Sequence, residues 1–245
     1  MYNEIYICKW PYVAQRTLYD YRGIDGTGTK SSPATGSNQV SYTVRKLADG
    51  NCWMSENLKL TLSTSHSYEV ATFSSGTTSW TPNQDTSSSN PYNVAISQNT
   101  KANVNGGNWY YPWYAATAGQ GTNTANPTIN RSICPKGWKL PDNSSNPSFY
   151  NLITTAYKIS AGTDTAKVAT IKATPLSFIS VGHSGDNKIY HSPSNGYFWS
   201  ATPNTSDDGK AYSLVFSSIS GYLGPQDAGN GVKFYGYPVR CVAIP

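Results

Sequence analysis

Apolar and polar positions change rhythm several times along the chain. In Tyr42–Leu60, YTVRKLADGNCWMSENLKL, Val44 and Leu47 run up to Asp49-Gly50-Asn51, and Cys52, Trp53 and Met54 run away from it. Apolar runs on either side of an Asp-Gly turn predict a β-hairpin. Thr61–Asn108 is long in Ser, Thr, Asn and Gln and poor in apolar periodicity. It reads as a looping insertion with short strands around Val70–Phe73 and Tyr92–Ile96. So long a stretch without structure is unusual in a compact domain, so Trp80, Tyr92 and Trp109 are expected to pin it to the body. NWYYPWYAAT, Asn108–Thr117, reads as core with Trp113 buried, rather than as a sugar-stacking platform. ICPKGWKLPD, Ile133–Asp142, leads into a predicted helix over Ser144–Tyr157. Asp142, Asn143 or Ser144 serves as its N-cap. Phe149, Leu152, Ile153, Ala156 and Tyr157 recur at spacings of three and four, the mark of one buried helix face. A second helical patch falls at Ala166–Lys172. From Pro175 onward the pattern is strand-like and broken by Gly, Asn and Pro. Strands are expected around Phe198–Ala201, Tyr212–Phe216 and Pro238–Val242.

Two apolar blocks near the C-terminus, NGYFWSAT from Asn195 and YGYPVRCVAIP, bracket a run of Tyr, Ser, Gly, Asn and Asp. Those residue types resemble an antibody paratope: Tyr gives rigid contact area, and Ser, Gly and Asn give adaptable hydrogen bonding. The whole chain of 245 residues carries 19 Tyr and 7 Trp but only 13% charged residues. That profile is extracellular and β-rich more than cytosolic. The net charge of +5 is mild and no Lys/Arg run stands out, so no nucleic-acid partner is expected. No apolar stretch approaches the ~20 residues of a membrane helix, so no membrane insertion is expected. Met1–Trp10 has neither the basic start nor the apolar core of a Sec signal. The segment is therefore read either as trimmed or as reaching its site without that signal, as a phage structural protein would.

Candidate chemistry is sparse. Cys8, Cys52, Cys134 and Cys241 show no CxxC spacing, which argues against zinc and redox motifs. An even count in such a chain suggests two disulfides and an oxidising compartment, against four free buried thiols, and allows three pairings. His183 and His191 lie in a loop with Ser184, Asp186 and Ser192, but no GxSxG elbow accompanies them, and they read as solvated loop residues. Glu4, Glu56 and Glu69 are the only glutamates, too few to suggest the facing carboxylates of a glycosidase. Asp207 and Asp208 look like turn residues. No phosphate loop or EF-hand spacing is present. No enzyme activity, cofactor or metal is expected.

The blocks DGNCWMSENLKL, YYPWYAAT, ICPKGWKLPD, GYFWSAT and GYPVRCV resemble the Fibrobacter succinogenes major paralogous domain, from about Tyr42 to Val242. That family looks like a branch of the C-type lectin fold. The resemblance implies an α+β class: a C-type-lectin-like fold with twisted antiparallel sheet, one or two helices and long irregular loops. It implies terminal strands lying together and a disulfide Cys134–Cys241; the remaining pair, Cys8–Cys52, is expected to tie the N-terminal segment to the hairpin. Trp138, Trp199 and Arg240 look like frame residues. The calcium motif of sugar-binding lectins is not reproduced: the nearest string, Gly224-Pro225-Gln226-Asp227, has the wrong order and no Trp-Asn-Asp follows. The formylglycine-generating enzymes share the broader fold, but Cys241 in PVRCV reads as structural. Some proteins of this fold are the variable proteins of diversity-generating retroelements, and the segment between FWSAT and VRCV is similar in flavour. The resemblance places ligand contacts at Asn204, Ser206, Asp207, Asp208, Tyr212, Ser213, Ser218, Ser220, Tyr222, Asp227, Asn230, Phe234 and Tyr235.

The expectation is a single domain over 1–245, with an N-terminal extension 1–41, an insertion 61–108 and a variable-type binding segment 196–242. Its expected task is adhesion or receptor recognition, outside the cell, on the cell surface or on a phage particle. The partner would be a protein or glycan on another cell or particle, bound by a face between Thr202 and Tyr237. The alternative is a self-assembling subunit of a cell-surface filament or phage tail.

Overall fold

A computed structural model describes residues 15–74, 76–82, 107–121, 128–143, 145–186, 188–227, 229 and 231–244. It is mostly antiparallel sheet with few helices. The predicted hairpin forms from β2 (Val40–Lys46) and β3 (Cys52–Met54), with Val44 opposite Met54 and Lys46 opposite Cys52. The turn needs glycine at Gly50, whose φ is +81°. Asp49 closes it by accepting from Trp53 Nε1 at 2.9 Å and from Asn51 Nδ2 at 2.8 Å.

This hairpin is the middle of a five-stranded sheet, with β1 (Arg16–Asp20), β14 (Val242–Ala243) and β7 (Trp138–Lys139), in the order β1-β2-β3-β14-β7. The first and last described strands therefore share a sheet, and β1 comes from what the sequence presents as an extension. The expected strand at Pro238–Val242 is shorter than predicted. Only Val242–Ala243 pairs as a strand, because Pro238 has no N–H to donate. The carbonyls of Pro238, Val239 and Cys241 accept singly from Trp199 at 3.4 Å, Leu58 at 2.9 Å and Met54 at 3.0 Å. Cys134 and Cys241 form a disulfide with Cα atoms 6.0 Å apart. Cys8, and with it the predicted Cys8–Cys52 pairing, lies outside the described residues.

The insertion contributes β4 (Tyr68–Thr72) and β5 (Thr77–Trp80), which form a small sheet with β6 (Arg131–Ser132). Trp80 and Trp109 are buried and pin it as expected. Tyr92 and the strand at Tyr92–Ile96 lie outside the described residues. The aromatic block is core: Trp113 opens a short helix α1 (Trp113–Ala116) with its ring fully buried.

The predicted helix over Ser144–Tyr157 starts later. Winding begins near Phe149 and continues as a π-helix, α2 (Asn151–Ala156). Pro147 disfavours helical backbone in the residue before it, and the helix does not run through Asn146. Ser148 is the capping residue, its Oγ accepting from Asn151 N at 3.0 Å. Asp142 instead pairs with Lys139 at 3.0 Å, and Ser144 is not described. The second patch is α3 (Thr165–Lys172), capped by Asp164, which follows a two-residue strand β8 (Gly162–Thr163).

The C-terminal third is an antiparallel meander of β11 (Asn195–Pro203), β12 (Ala211–Ser217) and β13 (Tyr222–Asp227), with β8 added at its edge. Both faces of this meander are covered. Tyr197, Trp199, Ala201, Ala211 and Val215 enter one hydrophobic core, with Tyr42, Trp113 and Trp138. Phe198, Leu214, Phe216 and Leu223 enter a second, with Phe149, Ile171 and Phe178. Arg240 is locked between the cores. Its guanidinium lies over Phe178 at 4.7 Å and Phe198 at 5.5 Å. It donates to Asn57 Oδ1 and to the carbonyls of Met54, Leu176 and Ser177 at 3.0–3.3 Å. Burial lowers its pKa to about 9.

Candidate binding face

The strand β11 positions the site. Trp199 is fixed first: its Nε1–H donates to the Tyr111 carbonyl at 2.7 Å, and its ring stacks on Tyr237 at 4.1 Å. Tyr237 in turn exchanges backbone hydrogen bonds with Tyr111 at 2.9 and 3.0 Å. The stretch 231–237 is thereby held across the meander. Lys233 anchors its other end. The ammonium donates to the Asp208 carbonyl at 2.8 Å and lies 4.7 Å from the centre of the Trp113 ring.

A short hairpin, β9 (His183–Gly185) and β10 (Lys188–Tyr190), closes over this stretch. Gly182 bridges Gly196, and Ser184 and Gly236 exchange backbone hydrogen bonds at 2.8 and 2.9 Å. Gly182 has φ +71°, and a Cβ there would lie 2.0 Å from the Tyr190 carbonyl oxygen, so no other residue fits. This geometry drives His183 into a ring of aromatic side chains. Its imidazole stacks on Tyr190 at 5.5 Å and lies tilted against Tyr235 at 4.8 Å and His191 at 5.3 Å. It meets Tyr197 and Tyr237 edge-on at 4.8 and 5.8 Å.

His183 is only 7% exposed, and its Nδ1 meets no hydrogen-bond partner among the described residues. Burial, with repulsion from His191 second, pushes its pKa down from 6.5 to about 4. It is therefore neutral over the range where an exposed histidine titrates. The expectation that His183 is a solvated loop residue does not hold; the strand pairings that bury it join distant parts of the chain. His191 does lie at the surface, with backbone φ +58°. Its Nδ1 lies 3.3 Å from the Tyr197 hydroxyl, which accepts from Asn195 Nδ2 at 3.0 Å. Burial raises the pKa of the Tyr197 and Tyr237 hydroxyls, and the Asp227 charge adds to it. Around the buried floor of His183, Tyr197 and Tyr237, the half-buried Tyr190, Asn195, Phe234 and Tyr235 form a rim with exposed His191. Phe234 meets Tyr235 edge-on at 4.8 Å.

The residues expected to bind divide into three groups. Asn204, Ser206, Asp207 and Asp208 form the turn from β11 to β12. Asn204 Oδ1 accepts from Ser206 N and Asp207 Oδ1 from Gly209 N, so both act as turn builders. Ser218 and Ser220 lie in the turn from β12 to β13, where Ser218 Oγ accepts from Lys172 Nζ at 2.9 Å. A seven-residue strand separates these turns by roughly 20 Å. Tyr212 is half-buried on β12, whereas Ser213 and Asp227 are buried. Asp227 accepts from the Tyr222 hydroxyl at 2.5 Å, so that hydroxyl is engaged within the molecule. Only Phe234 and Tyr235 reach the aromatic rim, and Asn230 is not described. The residues of this face missing from the predicted contacts are Tyr190, His191 and Asn195 in the rim and His183, Tyr197 and Tyr237 in its floor.

Residues 48–243 match the family model described as the Fibrobacter succinogenes major domain. The chain belongs to this family. No curated protein and no solved structure matches it. The family match covers both meander and rim, from the β2–β3 turn to β14. Among the described residues of this Fibrobacter succinogenes major domain, no group of three or more His, Cys, Asp or Glu could hold a metal ion. Nor is any helix among them long and apolar enough to cross a membrane.

Proposed function

We propose that this chain is an extracellular or particle-surface binding domain, built on a C-type-lectin-like frame, that recognises a protein or glycan on another cell or particle. The observation that carries this reading is the separation of frame from face. Tyr197, Trp199 and Tyr237 are buried, while Tyr190, His191, Phe234 and Tyr235 stand half-buried or exposed around them. Tyr and Phe held in this way supply contact area with few torsions left to freeze. The five-stranded sheet that gathers β1 and β14 supports the lectin-like assignment. Binding is favoured over catalysis because, among the described residues, no carboxylate is among the groups that shift His183, so none of them orients or charges the imidazole. The Ser/Tyr/Asn/Asp content of Asn204–Tyr235 is compatible with diversification by a retroelement.

The test is an immobilised array of cell-surface proteins and glycans probed with the wild-type chain, Phe234→Ser and Ile219→Ser. Ile219 is 80% exposed in the β12–β13 turn and is not one of the rim residues. Signals lost with Phe234→Ser and kept with Ile219→Ser support the reading. Signals kept in both place the contact elsewhere. Concentration-dependent assembly of a wild type that binds nothing on the array supports a filament or tail subunit instead.

A further inference from the structure

We propose that the β9–β10 hairpin is an acid-released clasp on the binding face: protonation of His183 expels its imidazole from the aromatic ring and frees Tyr235. This names a regulation of the site proposed above and rests on that reading for its consequence, not for its mechanism.

The clasp has three parts. The hairpin is fastened to the face by the backbone pair between Ser184 and Gly236. Tyr235 lies against Gly185, where an added Cβ would approach its ring to 3.1 Å. His183 fills the space between these, framed by Tyr190 and His191 from β10 and its exit, Tyr197 from β11, and Tyr235 and Tyr237 from the C-terminal stretch. A neutral imidazole suits this surrounding. A protonated one carries an N–H at the buried Nδ1, and no acceptor meets that atom among the described residues.

Among the described residues, no opposite charge is among the groups that shift His183. The groups facing His183 are four phenols and one further imidazole, and His191 opposes its protonation. Asp227 on β13 acts on Tyr197 and Tyr237 but is not among the groups that shift His183. Asp186 and Lys188 are exposed at the tip of the hairpin itself. Burial and repulsion from His191 both oppose a charge on this ring. Acid thus favours the state in which the hairpin has lifted and His183 is hydrated. Tyr235 and Phe234 then lose the surface that orients them, and a ligand held at neutral pH is released.

The experiment needs no ligand. Amide hydrogen exchange, read residue by residue by NMR and corrected for intrinsic rates, is measured near pH 7 and near pH 4. With the His183 pKa at 6.5 when open and about 4 when closed, the protection of Ser184 and Gly236 should fall about a hundredfold at the lower pH. Leu47 in the β2–β3 turn, bonded to the Asn51 carbonyl, should keep its protection. His183→Phe, which retains a ring but cannot titrate, should abolish the fall. A fall under about threefold, an equal fall in His183→Phe, or equal loss at Leu47 overturns the proposal. If His183→Phe does not fold, the His183 ring is titrated by NMR in the wild type. Titration well below 6.5 together with a shift of the Gly236 amide supports the clasp, and titration near 6.5 overturns it. Failure here leaves the binding reading standing, and failure of array binding leaves the clasp standing.

Discussion

Replacing Trp199 by Ala tests whether the meander is frame. The indole is fully buried, stacked on Tyr237 and bonded to the Tyr111 carbonyl. A buried Trp removes about 150–250 Å² from water, which at about 25 cal/mol per Å² amounts to about 4–6 kcal/mol. Alanine retains a little of that burial, and partial collapse of the cavity recovers more, leaving a cost of about 3–5 kcal/mol. The lost hydrogen bond adds little, because the Tyr111 carbonyl keeps the Tyr237 N–H at 3.0 Å. Trp199→Phe keeps a ring against Tyr237 and should cost about 2 kcal/mol. Equilibrium unfolding in urea, followed by circular dichroism so that loss of an indole does not alter the probe, gives both values. A Trp199→Ala cost below about 1 kcal/mol, with an unchanged urea dependence, would refute the assignment of this strand to the frame.

Other expectations follow from the same structure. Removing the Cys134–Cys241 link by a double Cys→Ala replacement should cost about 4–5 kcal/mol in the chain-entropy model, since it closes a separation of 107 residues; unfolding of the oxidised and mutant proteins in urea checks this. Arg240→Met should cost about 3 kcal/mol, because it removes the donors to the buried carbonyls of Met54 and Leu176 and the part-buried carbonyl of Ser177, and a cost near zero in the same assay contradicts the packing around it. His183 has a depressed folded pKa, so the unfolded chain takes up the proton first. Stability is then full above pH 6.5 and is lost as pH falls toward about 4. The loss attributable to this residue is about 2 kcal/mol after allowance for partial screening, and His183→Gln should remove that part of the pH slope in thermal melts.

Much of the frame is written locally. Asp49-Gly50-Asn51 sets the hairpin, and the blocks around Trp138, Trp199 and Arg240 mark buried positions, because turn chemistry and large apolar residues act over a few neighbours. The helix start was less legible: the N-cap candidates point to Ser144, but Pro147 disfavours winding before Ser148, and the helix begins where the apolar spacing does, at Phe149. The meander was half-legible. Both its faces are covered, so Phe198, Trp199, Leu214, Val215 and Phe216 form continuous runs instead of an alternation that separates inside from outside. Composition drew attention to Phe234 and Tyr235, but it could not show that Asn204 and Ser218 lie at opposite ends of one strand. The His183 ring was illegible for a different reason. Its members come from residues 183, 190, 191, 197, 235 and 237, brought together by the β9–β10, Gly182–Gly196 and Ser184–Gly236 pairings. No local period encodes those contacts.

The most direct test of a binding face supported by an independent frame is to measure melting temperature and ligand affinity on the same samples of Phe234→Ser, Tyr190→Ser and the wild type, using whichever array ligand the wild type retains. The account predicts melting temperatures within about 4 °C of wild type and a loss of affinity of at least about tenfold in each variant. Unchanged affinity with unchanged melting would contradict it, as would loss of folding in both variants.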